Sequence, residues 1–323
     1  MGYLMVRTGR LTACFVLFLF VGCADPPTAL EPDLTASLAK PDKPPKPQPP
    51  GETAAPEISF AAACGRADCL WVVDADGENA TSIYEGSPYL QSSWSDQGTG
   101  TAADPFVILV SPSGAFVQSL DKIEVVVQEG VPVAQTVTVL STDAYHHAVV
   151  RPGGSEFAAL QRPATLVVGN MDTGATVPLY EAEVGREIGL AAWNTDGTRL
   201  AFLVEDEWPQ RGIDVMVMEV PVGDEGWVET AISWEWVDWG TRNLSWARTS
   251  NRLLLDVELQ LYAVDLDVPP PEMGASLGEG SAPSWSEDDS RLVVEDDGWL
   301  WIREVGAGNG IKVKRGSWPD WRR

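Results

Sequence analysis

Short apolar runs alternate with turn-forming clusters along most of the chain. A clear example is Trp-Leu-Trp-Ile-Arg-Glu at 299–304, which follows the turn residues Asp-Asp-Gly at 296–298. Successive side chains of this run point to opposite faces, and period-two alternation between turns is typical of half-buried antiparallel strands. The same unit recurs along the chain, which predicts an all-β repeat fold.

The repeated unit consists of a tryptophan, a polar turn and an apolar run. It is clearest at 193–203, Trp-Asn-Thr-Asp-Gly-Thr-Arg-Leu-Ala-Phe-Leu, whereas Val150 stands where another tryptophan is expected. The units recur at intervals of 36 to 56 residues, which suits four-stranded propeller blades, two of them with insertions. We expect the repeat tryptophans to pack between blades; they are Trp94, Trp193, Trp246, Trp285 and Trp321.

The two ends of the repeat region complement each other. Residues 58–84 supply three outer strands without an inner strand, and 316–321 supply an inner strand without outer strands. Joined, they complete one blade and remove the exposed edges of an open sheet. The sequence therefore predicts an all-β, six-bladed β-propeller over 58–323, closed by a composite blade. Residues 100–145 match weakly and fit either an ordinary blade or a small inserted β-module.

The unit at 193–203 resembles the W-S-P-D-G-x-x-I-A-F unit of the WD40-like (PD40) repeats in the TolB-type six-bladed β-propeller family. The resemblance covers nearly all of 58–321 and is strongest from 185 onward. It implies protein–protein contact as the function. TolB-type proteins also carry an N-terminal α/β domain, and this sequence has a Pro-rich stretch in its place, which makes a role in the Tol system the weaker interpretation.

Residues 1–22 have the features of a signal peptide, with Arg7 and Arg10 before an apolar core at 11–21. The core ends in Phe-Val-Gly-Cys, which resembles a bacterial lipobox and implies that Cys23 carries a lipid. We therefore expect an exported lipoprotein held to the membrane through Cys23 and facing the periplasm or the cell surface. Ala24 does not resemble an inner-membrane retention signal, which favours the outer membrane. The alternative is an ordinary secretory signal with an incidental cysteine.

Residues 23–57 form the anchor and a linker, because the ten prolines of 24–57 exclude a packed core. The rest of the chain is acidic, with 47 Asp and Glu against 22 Lys and Arg. This balance argues against nucleic-acid binding, which needs a basic surface. Cys64 and Cys69 are an even pair spaced to span a hairpin connection, and in an exported protein they predict a disulfide.

Catalytic motifs are missing from the sequence: there is no Gly-x-Ser-x-Gly elbow, no Gly-rich phosphate loop and no His-Glu-x-x-His. His146 and His147 are the only histidines, and we expect them to flank a turn after Thr142 and Asp143 rather than to bind a metal. The acidic run at 74–79 is interpreted as a hairpin turn rather than a calcium loop. We therefore predict a non-enzymatic single propeller that needs neither cofactor nor metal.

One stretch is unusually rich in tryptophan, at 226–240. Trp234, Trp236 and Trp239 fit either an aromatic platform for a sugar or peptide, or outer-strand packing between blades. The function predicted for the whole chain is a cell-envelope scaffold, a monomeric propeller that binds an envelope protein or peptide. The alternative is a carbohydrate-binding or carbohydrate-active propeller that uses this platform.

Overall fold

The computed structural model describes residues 55–65, 67–86, 90–112, 119–143, 145–161, 164–206, 212–220, 228–235, 243–269, 271 and 273–322. Within these ranges all regular secondary structure is β-strand. No helix in this part of the chain is long and apolar enough to cross a membrane. Cys23 and most of the Pro-rich linker lie outside the described residues.

The described part of the chain forms 24 strands in six four-stranded antiparallel sheets. The first three strands are β1 (Ile58–Ala63), β2 (Asp68–Val73) and β3 (Thr81–Gly86). The next two sheets contain β4 (Leu90–Trp94), β5 (Phe106–Pro112), β6 (Leu120–Gln128) and β7 (Val131–Ser141), then β8 (Tyr145–Val150), β9 (Glu156–Gln161), β10 (Thr165–Asn170) and β11 (Thr176–Glu181). The fourth sheet contains β12 (Arg186–Trp193), β13 (Arg199–Asp206), β14 (Gly212–Glu219) and β15 (Val228–Glu235). The last strands are β16 (Leu244–Trp246), β17 (Arg252–Val257), β18 (Gln260–Asp265) and β19 (Met273–Glu279), then β20 (Ser281–Trp285), β21 (Arg291–Asp296), β22 (Trp299–Glu304), β23 (Gly310–Arg315) and β24 (Ser317–Trp321).

The six sheets form a closed ring. The innermost strands contact one another in the order β4, β8, β12, β16, β20 and β24, and β24 returns to contact β4. From each of them the remaining strands of the sheet follow outward by antiparallel pairing. This arrangement is a six-bladed β-propeller, and it confirms the predicted fold class.

The first blade takes strands from both ends of the described chain, in the order β24–β1–β2–β3. Ile58 lies opposite Trp321, and Ser59 opposite Asp320. The Trp321 indole N–H also donates to Glu57 Oε2 at 3.2 Å. Residues 100–145 match the repeat weakly in sequence, and the described part of this segment forms an ordinary blade: β5, β6 and β7 pair in succession outward from β4.

The core lies between the blades rather than along the ring axis. Six clusters of buried apolar side chains each join two neighbouring blades of the described chain. Each repeat tryptophan belongs to one cluster and is at most 3% exposed. In the blade where Val150 replaces tryptophan, the fully buried Phe157 supplies the large ring. Gly169 makes room for it, since a Cβ there would come within 2.2 Å of the Phe157 ring.

Arginines of one blade cover tryptophans of the next. Arg199 lies six residues after Trp193, and its guanidinium carbon is 5.5 Å from the centre of the Trp246 ring. Arg291 lies six residues after Trp285 and stands 5.0 Å from the centre of the Trp321 ring. Such cation–π contacts stabilise by about 0.5–2 kcal/mol, and here they join blades that are covalently connected only through loops.

Candidate functional site

Two positions at the inner strand of each blade recur around the ring, three places and one place before the buried core residue. The first ring consists of Gln91, His147, Leu190, Asn243, Ala282 and Trp318. The second ring consists of Ser93, Val149, Ala192, Ser245, Ser284 and Asp320. All of these except His147 line a single partly open cavity of about 70 Å³ at the centre of the propeller. We call this cavity the central channel.

The channel wall is polar on some blades and apolar on others. Ser284 Oγ donates to Asp320 Oδ1 at 3.1 Å and accepts from the Trp321 amide at 3.0 Å. Ser93 Oγ accepts from the Val150 amide of the next blade at 3.0 Å. The opposite side is lined by the apolar Leu190 and Ala192. A ligand in the channel therefore meets a wall whose chemistry changes from blade to blade.

Bulges shape the first ring. His147, Ala282 and Trp318 occupy equivalent places in β8, β20 and β24, and all three have positive φ, between 46° and 53°. The pairing register shifts at each of these places. A non-glycine residue in this conformation costs on the order of 1–3 kcal/mol, and bulges of this kind re-aim side chains near functional sites. Here the bulges determine the direction of three first-ring side chains, those of His147, Ala282 and Trp318.

Arg248 stands at one end of the channel, in the turn between β16 and β17. Its side chain lines the cavity and is 8% exposed. Nη2 donates to the Trp321 carbonyl oxygen at 2.9 Å, and Nε has no hydrogen-bond partner among the described residues. Burial lowers the pKa of the guanidinium below its usual value, and the attraction of Asp320 and Asp289 offsets only part of this effect.

Both of these carboxylates have donors of their own. Asp289 accepts from the Arg248 amide at 2.6 Å and from the Thr249 amide at 2.8 Å. Asp320 accepts from the Trp94 amide at 2.9 Å as well as from Ser284. The carboxylates therefore link neighbouring blades. Backbone amides fix their positions, and from there they attract the Arg248 guanidinium.

A further buried carboxylate, that of Asp256, forms hydrogen bonds to two residues of the channel wall. Asp256 is fully buried, and it accepts from the Asn243 amide at 2.9 Å, from the Asn243 side-chain amide and from the Ala282 amide at 3.1 Å. Asn243 and Ala282 both belong to the first ring, so Asp256 fixes two adjacent blades of the channel. Nearby, burial raises the pKa of Glu295, and the charge of Asp256 raises it further.

His146 and His147 lie within strand β8, which begins at Tyr145 directly after the predicted turn at Thr142 and Asp143. The bulge at His147 lets its ring contact the side-chain oxygen of Gln91 and approach the Trp318 ring at 6.0 Å between centres. The described residues contain no group of three or more His, Cys, Asp or Glu side chains that would hold a metal ion.

The other candidate residues lie away from the channel or outside the described residues. Cys64 and Cys69 are joined as a disulfide at the β1–β2 connection, with 5.7 Å between their Cα atoms. Trp234 lies in β15, the outermost strand of its blade. Its side chain and the whole of Trp236 and Trp239 lie outside the description, as does Cys23.

Sequence reasoning missed most of the channel. The residue two places after the repeat core residue is Asp96, Pro152, Thr195, Glu287 and Arg323 in the other blades. Because this position varies from blade to blade, Arg248 gave no signal in the sequence. The first ring has no recurring residue type, and in the second ring only serine recurs, at Ser93, Ser245 and Ser284.

Comparison with known proteins supports the fold and leaves the family open. No protein-family model matches the chain, and no curated protein matches it. Among solved structures, a protein provisionally named TolB from Agrobacterium tumefaciens is 11% identical, with a TM-score of 0.51 over 80% of this chain and 89% of that chain. The β-propeller domain of Cps50 (Swd1) from Myceliophteria thermophila is 11% identical, with a TM-score of 0.48 over 82% of this chain and 88% of that one.

An enzyme also stands among the similar structures. An oligogalacturonate lyase from Vibrio parahaemolyticus is 10% identical, with a TM-score of 0.44 over 81% of this chain and 87% of that chain. Identities this low show the fold alone, and fold does not fix function. The described part of the chain is thus a six-bladed β-propeller whose central channel has polar and apolar sides.

Proposed function

We propose that the protein is an exported lipoprotein whose propeller binds a protein or peptide partner in the bacterial cell envelope. In this proposal Cys23 carries the lipid, the Pro-rich linker is the tether, and a single propeller acts without catalysis or cofactor. The observation that carries it is the channel itself, where all six blades contribute to one partly open cavity and the lining changes between polar and apolar groups. Such a wall offers a partner a specific pattern of hydrogen bonds.

Binding suits this wall better than acid–base catalysis. The carboxylate of Asp320 already accepts hydrogen bonds from Trp94 and Ser284, and His147 contacts Gln91. These contacts hold the channel groups as parts of the scaffold, whereas a general acid or base needs an oxygen or nitrogen directed at substrate. The net charge of −25 makes nucleic acid an unfavourable partner.

Site-specific photocrosslinking in the native envelope tests this function. A photoreactive amino acid replaces Ser245 in the channel, and a matched variant carries it at Val177, a 62% exposed residue of the outer strand β11. We expect one envelope protein to be crosslinked from position 245 and not from 177. The same experiment in a Cys23→Ala background should lose the partner if anchoring brings the two together.

Equal crosslinking from both positions, or none from position 245, would contradict the proposal. Retention of soluble glycans, lost in Trp236→Ala, would instead favour the carbohydrate alternative. The described tryptophans outside the core give that alternative little support, because cations cover several of their faces. Lys312 Nζ lies 3.7 Å from the centre of the Trp299 ring, and Lys314 Nζ lies 3.8 Å from that of Trp71.

A further inference from the structure

Arg248 carries a charge that its surroundings balance only in part. An arginine buried to this degree is normally matched by a carboxylate that accepts from two of its nitrogens. Here Nη2 meets a carbonyl oxygen, which is neutral, and Nε meets no acceptor among the described residues. A buried guanidinium held in this way gains when an anion reaches it.

The neighbouring carboxylates do not remove this imbalance. Asp289 is held by the Arg248 and Thr249 amides and by the Thr249 hydroxyl at 2.6 Å. Asp320 is held by the Trp94 amide and Ser284. Their positions are therefore set by these donors, and the desolvation of Arg248 outweighs their attraction. Arg248 Nε is left without an acceptor among the described residues.

The size of the cavity limits what reaches Arg248. An apolar cavity of about 150 Å³ holds one benzene molecule, and the channel offers about 70 Å³. That volume suits a group of about three or four heavy atoms, such as a carboxylate with its adjoining carbon. Because the cavity is partly open, the group can belong to a longer molecule that remains outside.

We propose that the central channel is a carboxylate-binding site, in which Arg248 receives a carboxylate group that enters from the partner. This inference rests on the proposed function and specifies the group that the partner presents. In this proposal the Arg248 guanidinium donates to the carboxylate, and the ligand meets the Ser245 hydroxyl along the wall. The carboxylate can come from a chain terminus or from an acidic side chain.

Titration with acetate, with acetamide as its neutral isostere, tests the site in the full propeller at constant ionic strength. The readout is the NMR resonance of the Arg248 Nε–H group, assigned by its loss in Arg248→Gln. We expect acetate to shift this resonance saturably and acetamide to leave it in place. Arg248→Gln should weaken acetate binding, measured by calorimetry, by about tenfold or more.

Arg151→Gln is the matched control, since Arg151 is a partly buried arginine paired with Glu156 and stacked on Trp193, outside the channel lining. It should leave acetate affinity within about twofold. Arg248→Lys keeps a charge and serves if the Gln variant does not fold; it should retain weaker, still acetate-selective binding. N-acetylglycine and N-acetylaspartate diamide then separate a terminal carboxylate from a side-chain one.

Equal responses to acetate and acetamide would overturn the inference, as would undiminished acetate binding in Arg248→Gln. A partner crosslinked from position 245 together with no acetate response would leave the proposed function standing and reject only the carboxylate site. Acetate binding without any crosslinked partner would support the carboxylate site and contradict the proposed function.

Discussion

The same six inner strands carry two very different sets of side chains. The set facing the neighbouring blades is nearly uniform, with a buried tryptophan in five blades and Val150 in the other. The set facing the channel has no common residue: the ring that contains Asp320 also contains serines, alanine and valine. The strands are thus repetitive on one side and individual on the other.

This difference separates the requirements of fold and site. Every blade interface needs a large apolar side chain, so the interblade positions repeat. The channel needs to recognise one ligand from six directions, and identical blades would offer it the same group six times. In a symmetric fold, loss of repetition at positions that still face the axis is a sign of a specific site.

The largest effect should come from the repeated side. Trp285→Ala removes a 3% exposed ring from the interface between the last two complete blades, and we expect it to lower the free energy of unfolding by about 3–5 kcal/mol. Urea denaturation followed by circular dichroism measures this. Trp299→Ala, on the half-exposed outer side, is the control and should have a much smaller effect. Near-wild-type stability of Trp285→Ala would break the comparison.

Asp256 tests whether the polar support of the channel belongs to the scaffold. Asp256→Ala leaves the Asn243 and Ala282 amides without their acceptor, and we expect a loss of about 2–4 kcal/mol, since buried donors without partners are costly. Asp267→Ala removes an exposed carboxylate that accepts from Asn251 and should be nearly neutral. Thermal unfolding of the two variants side by side gives the answer.

Arg291 tests the contact between neighbouring blades at the closure of the ring. Arg291→Met keeps much of the side-chain volume but loses the cation over Trp321 and the 2.9 Å hydrogen bond to the Ala75 carbonyl. We expect a loss of about 0.5–2 kcal/mol by chemical denaturation. Arg252→Met, at the equivalent place in the preceding blade, is 54% exposed in its ion pair with Asp265. A loss of equal size there would show that the stacked position has no special value.

We expect low pH to destabilise the turns that are held by aspartate side chains before it affects the packing of the apolar core. Hydrogen bonds from Ser290 and Ser286 lower the pKa of Asp288 to about 2. Because the folded pKa lies below the ordinary value of 3.8, the stabilising contribution is complete above that value and is lost as pH falls toward 2. Asp288→Asn should flatten the dependence of melting temperature on pH between 4 and 2. An unchanged slope would contradict the assignment.

The smallest effect on stability should come from the channel. Ser245→Ala changes a hydroxyl on the second ring, and we expect the free energy of unfolding to stay within about 0.5 kcal/mol of the original. Partner capture should nevertheless fall. A large loss of stability with intact partner capture would mean that Ser245 belongs to the scaffold and not to the binding site.

The sequence was sufficient for the ring and insufficient for the channel, for a physical reason. Trp193, Trp246 and Trp285 recur because burial between blades is the same task each time, and their spacing alone predicts the blades. The bulges at His147, Ala282 and Trp318 shift the strand register, so counting residues does not reveal which side chains reach the axis.

The composite blade also sets the order of events during synthesis. Glu57 and Trp321, joined by a hydrogen bond, are 264 residues apart in sequence, and such distant pairs form slowly. Until β24 has been made, β1 presents an unpaired inner edge, and the five complete blades remain an open arc. A nascent or truncated chain in that state can pair its open edge with a strand of another chain. The inner edge of β1 must therefore be protected from such pairing until β24 has been synthesised.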